Sequence, residues 1–266
     1  MSRDDAAIPA PRGAVPDLER LTTALAEVGL DHAAAALPGL VSEAVAEDLG
    51  GPAFLERVLR AERSVREDSR IRTSLKLSSL PLGQTIANFD FAFQPAIERS
   101  RIEALATSAW VRDKQSLLLL GPPGVGKTHL AVALAAKAVE SGFSVAYYRV
   151  EELVHLLRQD ARTPPAQVKR RKYMNVALLV LDEVGFEPFS REDANLFFRL
   201  VSYRYQRGAI CITSNKAIKD WPEMLAGDEV ITAAILDRLL HASHVLNIRG
   251  RSYRLRELEA SLHARG

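Results

Sequence analysis

Eight consecutive residues, Gly121-Pro122-Pro123-Gly124-Val125-Gly126-Lys127-Thr128, join a glycine-rich turn to a cation and a hydroxyl. Glycines let such a turn curl tightly, so that successive backbone N–H groups point inward at one place. The spacing is that of a Walker A loop, whose chemistry is the gripping of a triphosphate. Lys127 would reach the β and γ phosphates, and the Thr128 hydroxyl would ligate Mg²⁺. A helix starting at the loop would add unpaired amides and the positive end of its dipole.

A second group follows the apolar run Leu178-Leu179-Val180-Leu181, which ends in Asp182 and Glu183. Two carboxylates delivered to one buried place are costly unless a cation is near, and a magnesium nucleotide supplies one. Asp182 would hold the metal, directly or through water. Glu183 would orient or deprotonate the attacking water. A third apolar run, Ile210-Cys211-Ile212, ends in Thr213-Ser214-Asn215. In a parallel sheet the carboxyl ends of strands line one crevice, so Asn215 would sit beside Glu183 and hold the water, with Thr213 as a second candidate. Cys211, among apolar neighbours, reads as a small buried hydrophobe.

The elements that must position these groups are legible in the apolar pattern. Strands are expected at 116–120, 144–149, 176–181, 210–213 and 244–248, with helical patterns between them. Continuous apolar strands alternating with helices predict an α/β fold with a parallel sheet sandwiched by helices. Upstream, Leu18, Leu21, Leu25 and Val28 share one helical face. A second helix is expected over 31–49, and a third from Pro52 to about Arg72 with Phe54, Leu55, Val58, Leu59 and Val65 as its buried stripe. The division expected is a disordered tail at 1–16, a small N-terminal helical domain at 17–72, a linker arm packed on the core at 73–95, and the nucleotide domain at 96–266. A helix over 96–111 would open that last domain.

Composition sets the outer bounds. The chain has 266 residues, 47% hydrophobic and 26% charged, with one cysteine. This is an ordinary globular composition with no internal disulfide. No apolar run is long enough to span a bilayer, and residues 1–16 carry no signal-like stretch, so a cytoplasmic protein with no membrane partner is expected. The net charge of +2 is uneven: residues 1–50 hold three arginines against nine carboxylates, a net −6, which leaves +8 on the rest.

Taken together the motifs resemble the AAA+ ATPases, and more narrowly the IstB-like transposition helper ATPases, relatives of the DnaC-type helicase loaders. The resemblance runs from about Leu75 to Glu257. It rests on Gln84-Thr-Ile-Ala-Asn-Phe89-Asp90-Phe91, on the loop extended through His129-Leu-Ala131, on Leu181-Asp-Glu-Val-Gly185 and Thr213-Ser-Asn-Lys216, and above all on Ala234-Ile-Leu-Asp-Arg238-Leu-Leu-His241 and Ile248-Arg-Gly-Arg-Ser-Tyr-Arg-Leu-Arg256. It implies ATP and Mg²⁺ as cofactors and nucleotide contacts along the loop to His129. It implies an arginine finger, Arg238, that reaches a neighbouring subunit's site, and Arg254 as a second nucleotide sensor, with Arg251 as its rival. Only 18 residues follow Ile248, so a full C-terminal lid is not expected. The partners implied are double-stranded DNA, the transposase of the same mobile element, and further copies of the chain, assembled with ATP and DNA.

Two basic clusters are candidates for the DNA surface. Lys169-Arg170-Arg171-Lys172 places four cations in a row, and Arg57, Arg60, Arg63, Arg66 and Arg70 recur at helical spacing among glutamates that would pair with them. The leading expectation is an ATP-controlled DNA-binding regulator that recruits or stimulates a transposase. A replicative helicase loader is the nearest alternative. A small-molecule kinase and a non-hydrolysing scaffold fit the intact Lys127, Asp182 and Glu183 less well.

Overall fold

In a computed structural model the described residues are 17–256. The tail expected at 1–16 lies outside them. The chain divides into two compact units, residues 1–70 and 71–266.

The first unit is helical. Helix α1 (Leu18–Glu27) is capped by Asp17, whose side chain accepts from the Glu19 amide, and Gly29 turns the chain after it at φ +78°. Helix α2 (Asp31–Ala46) follows, then the first part of α3 (Gly51–Ser78). The small core is Ala33, Leu37 and Val58. Glu62 is buried beside it and accepts from the Ala33 amide at 2.8 Å, filling an orphan donor at the start of α2. The expected stripe on α3 is therefore narrower than its pattern. Val58 is buried and Phe54 packs on the core, but Leu55, Leu59 and Val65 are exposed, because two short helices offer too little apolar surface to cover them.

Helix α3 continues past Arg72, the expected end, because no Gly or Pro interrupts residues 73–78. It stops where Ser79 turns left-handed, at φ 61°, two residues before Pro81. Helices α4 (Arg99–Ala106) and α5 (Ala109–Arg112) replace the single helix expected over 96–111. Ser108 at φ 60° breaks it, and the Trp110 indole bonds back to the Leu105 carbonyl at 3.0 Å.

The second unit then alternates: β1 (Ser116–Leu120), α6 (Lys127–Glu140), β2 (Val145–Arg149), α7 (Val150–Asp160), the short α8 (Pro165–Val168) and α9 (Lys172–Asn175), β3 (Leu178–Val184), α10 (Arg191–Arg204), β4 (Ala209–Ser214), a 3₁₀ turn and α11 (Trp221–Met224), α12 (Glu229–Leu240) and β5 (Ser243–Asn247). All pairings are parallel, in the order β2-β3-β4-β1-β5. Side-chain alternation sends Leu117 and Leu119 to one face and Leu118 and Leu120 to the other. The first face packs on α4, α5, α6 and the arm residues Leu80 and Phe89. The second packs on α7, α10, α11 and α12. Buried leucines on both sides explain why β1 reads as an unbroken apolar run. The order also puts β4 between β1 and β3, so the loop at Gly121 and the acids at Asp182 belong to strands that do not touch.

Candidate nucleotide site

The loop after β1 needs its glycines for reasons that differ by position. A Cβ on Gly121 would stand 2.1 Å from the Ile248 carbonyl oxygen, one on Gly124 2.1 Å from Ser252 Oγ, and one on Gly126 2.7 Å from the Phe89 ring. Gly124 and Gly126 also hold φ of +80° and +96°, which side-chain-bearing residues rarely adopt. The segment after β5 and the arm before α4 thus close on the loop from two sides. The Tyr253 amide seals one contact by donating to the Gly124 carbonyl at 2.9 Å.

Lys127 and Thr128 open α6, whose first-turn amides have no partner within the helix. The Lys127 ammonium, mostly buried, donates to the carbonyls of Gly121 and Pro122 at 2.8 Å each, so its charge lies inside the loop. Burial pushes this lysine below its ordinary range. Asp182 opposes that shift, Arg254 adds to it, and Glu183 opposes it. Four charges from three segments therefore meet here.

Asp182 is 2% exposed, and its Oδ1 accepts from Thr128 at 2.9 Å and from Thr213 at 2.5 Å. Thr213, near the end of β4, holds both acids from the strand that lies between them and the loop. Its oxygen also accepts the Glu183 amide at 3.0 Å. Glu183 sits at φ +62°, where the β3–β4 register shifts between Leu181 and Val184. This bulge takes Glu183 out of strand alternation, so that it lines a cleft its parity would deny it. The strand runs through both acids to Val184 rather than ending before them. Arg149, at the end of β2, approaches Glu183 at 3.8 Å, both side chains well exposed.

The cleft measures ≈ 520 Å³. Pro123, Gly124, Val125, Gly126, Lys127, Thr128 and His129 form its floor. Glu183, Thr213 and Asn215 form one wall, the arm residues Gln84, Asn88, Phe89, Asp90 and Gln94 another, and Tyr253 and Arg254 a third. The His129 ring bonds the Thr85 carbonyl at 2.8 Å and stacks edge-on with Phe89, which ties arm to floor. Of the two candidate sensors, Arg254 lines the cleft. Arg251 instead engages the arm through its carbonyl, which accepts from Gln94 at 2.8 Å.

Arg238 lies elsewhere. Its guanidinium bonds the Ala234 carbonyl at 2.7 Å, covers the Phe198 ring at 5.1 Å, and lines a separate cavity of ≈ 340 Å³ with Lys114, Ser116, Gly208 and His241. Those neighbours mark the starts of β1, β4 and β5, whereas the nucleotide cleft is at the strands' carboxyl ends.

The four-cation row is not uniform. Arg171 forks onto Asp160, which is 6% exposed, at 2.6–3.0 Å, and the Tyr173 hydroxyl bonds the same carboxylate at 2.6 Å. Lys172 donates to the Leu77 carbonyl at the end of α3. Those two hold the fold. Lys169 and Arg170 face solvent. In the α3 row Arg57, Arg60, Arg66 and Arg70 pair with Glu47, Glu56, Glu62 and Glu67, so it is no bare cationic face. Cys211 is buried, and burial raises its thiol well above the ordinary range.

Sequence reasoning missed Tyr147, Arg149 and the closing contacts of Ser252 and Tyr253. Tyr147 carried a signal in its alternation with Val145. Its hydroxyl meets Asp182 at 2.6 Å.

The donor set suits magnesium. A hydroxyl and a carboxylate oxygen 2.9 Å apart are hard oxygens, and Mg²⁺ binds through one or two such groups while water and phosphate supply the rest. Among the described residues no group of three His, Cys, Asp or Glu forms a self-sufficient metal cage, and no helix is long and apolar enough to cross a membrane.

The profile of the family described as IstB-like ATP binding protein matches residues 23–261. The insertion sequence IS21 ATP-binding protein of Pseudomonas aeruginosa is 40% identical over 240 residues, covering 90% of each chain. The insertion sequence IS5376 ATP-binding protein of Geobacillus stearothermophilus is 39% identical over 204 residues, 77% of this chain and 81% of that protein. Among solved structures, DnaI superposes with a TM-score of 0.52 at 22% identity, over 67% of this chain and 94% of that one, a likeness of fold.

Proposed function

The chain belongs to the IstB-like ATP-binding protein family, and from that premise we propose that it is the ATP-controlled regulator of a mobile element, assembling on duplex DNA with ATP and Mg²⁺ and recruiting or stimulating a transposase. It is a P-loop ATPase of the AAA+ fold. The observation that carries the reading is the convergence of Lys127, Thr128, Glu183 and Thr213 from three strand ends on one cleft, with the buried Asp182 bonded to Thr128 and Thr213 behind it.

In this reading the amides and Lys127 hold and neutralise the triphosphate. Thr128 and Asp182 hold Mg²⁺, which when bound draws charge from the phosphate oxygens. Glu183 takes the proton of the attacking water, and Asn215 orients that water. Arg254 contacts the nucleotide from the third wall. Arg238, at the opposite end of the sheet, serves the cleft of a neighbouring copy and meets the charge that spreads over the transferred phosphoryl group. Hydrolysis then depends on assembly, and nucleotide state sets whether DNA is held. Lys169 and Arg170 supply phosphate contacts without sequence information. The acidic 17–50 segment, unsuited to phosphate, serves a protein partner. The relatives' naming for insertion sequences supports service to a transposase.

The test is ATP turnover with and without duplex DNA, paired with particle imaging of the chain with ATP and DNA. DNA-stimulated turnover and ordered assemblies on the duplex are the expected results. Turnover by isolated monomers, indifferent to DNA, would overturn the reading.

A further inference from the structure

Both oxygens of the buried Asp182 carboxylate are held by hydroxyl groups, and one of these comes from a strand that no motif marks. Oδ1 accepts from Thr128 and Thr213, while Oδ2 accepts from Tyr147 at 2.6 Å. Thr128 and Thr213 line the nucleotide cleft and Tyr147 does not. The two oxygens therefore face different surroundings, one toward the cleft and one into the packed sheet face under α6.

Strand geometry makes this arrangement. In the β2–β3 register Tyr147 stands opposite Val180, and Arg149 stands opposite Asp182. Residues two apart share a face, so Tyr147, Val180 and Asp182 project to the same side. Tyr147 and Val180 lie in the core cluster that α6 covers. The phenol ring is long enough to carry its hydroxyl forward along the strand to the acid, a diagonal contact of the kind long side chains make across a sheet.

We propose that Tyr147 is a positioning residue for Asp182: its hydroxyl anchors Oδ2 in the sheet so that Oδ1 is the oxygen presented beside Thr128. The proposal rests on the reading of Thr128 and Asp182 as the metal end of the nucleotide site. The terminal torsion of an aspartate is broad, so the carboxylate has no strong preference of its own for this orientation. Without a donor, Oδ2 is left unpaired where water does not reach, and the group turns to recover a partner. Each turn removes Oδ1 from its place beside Thr128. Tyr147 touches neither nucleotide nor metal; it acts through Asp182.

The test uses the full chain and equilibrium binding of ATP, measured in excess Mg²⁺ and again in excess EDTA. The ratio of the two affinities isolates the metal's share. Tyr147→Phe keeps the ring in its packing and removes only the oxygen. It is expected to shrink that ratio about tenfold, the scale of one hydrogen bond to a charged group, while the EDTA affinity stays within about twofold. Tyr148→Phe, on the opposite sheet face, is expected to leave the ratio unchanged. In an Asp182→Asn background Tyr147→Phe should shrink it no further. An unchanged ratio in Tyr147→Phe, an equal loss with and without metal, or an independent loss on top of Asp182→Asn overturns the proposal. A wild-type chain whose ATP affinity ignores Mg²⁺ would instead sink the site reading beneath it.

Discussion

Thr213 donates to Asp182 Oδ1 at 2.5 Å. The same Thr213 oxygen receives the Glu183 amide at 3.0 Å, so one hydroxyl holds both acids of β3 from the strand that separates them from the loop. In the proposed mechanism a group in this position would set the geometry of metal and water together.

Thr213→Val should lower kcat about 10²-fold, the scale of losing one preorganised donor. Thr213→Ser, which keeps the hydroxyl, should recover most of the rate. A valine variant with near wild-type turnover in steady-state assays would contradict the bridging role.

Gly126→Ala forces a Cβ to 2.7 Å from the Phe89 ring at a φ of +96°. Both effects oppose the loop's curl, and removing the ring by Phe89→Ala relieves only one. ATP affinity by equilibrium titration should fall at least about tenfold in Gly126→Ala, with incomplete rescue in the double variant.

Glu183→Gln should bind ATP yet turn it over slowly, trapping assemblies on DNA. Arg238→Ala should bind ATP as well as wild type and lose hydrolysis, since Arg238 lies away from its own chain's cleft. In mixed assemblies of the two variants, turnover above either parent is expected. Mixed assemblies with no such gain would argue against a site shared between copies.

The basic row should split under mutation. Lys169→Ala with Arg170→Ala should weaken duplex binding and flatten its salt dependence, by about one unit of log–log slope per cation lost, with thermal stability unchanged. Arg171→Ala should mainly destabilise, because it strips the fork from the buried Asp160. Melting curves and salt titrations on the same samples separate the two effects.

Asp193 gives a pH signature. The half-exposed Arg158 beside it holds its carboxyl at about 2, with Ser190 adding to the effect and burial opposing it. An unfolded aspartate titrates near 3.9. The folded value is depressed, so the stabilisation is fully present above about pH 4 and is lost as pH falls toward 2. Screening at Arg158 limits it to about 1–2 kcal/mol. Asp193→Asn should be less stable at neutral pH and lose this part of the acid dependence in denaturant titrations.

Much of the site was legible because its chemistry demands contiguous residues. An amide cradle for phosphate needs glycines, a lysine and a hydroxyl in fixed order, and so Gly121 to Thr128 declare themselves in the chain. The unbroken leucines of β1 and the apolar run before Asp182 are equally local signals, since a strand buried on both faces has no polar positions to show. What only the tertiary structure decided is which separate segments meet. Strand order placed β4 between loop and acids and set Thr213 against both acids. A bulge turned Glu183 into the cleft against its parity, the β2–β3 register brought Tyr147 to Asp182, and packing divided Arg171 and Lys172 from Lys169 and Arg170. These contacts join residues from 11 to 95 positions apart, and their free energy comes from burial and hydrogen bonding across the fold. No short window of sequence encodes them.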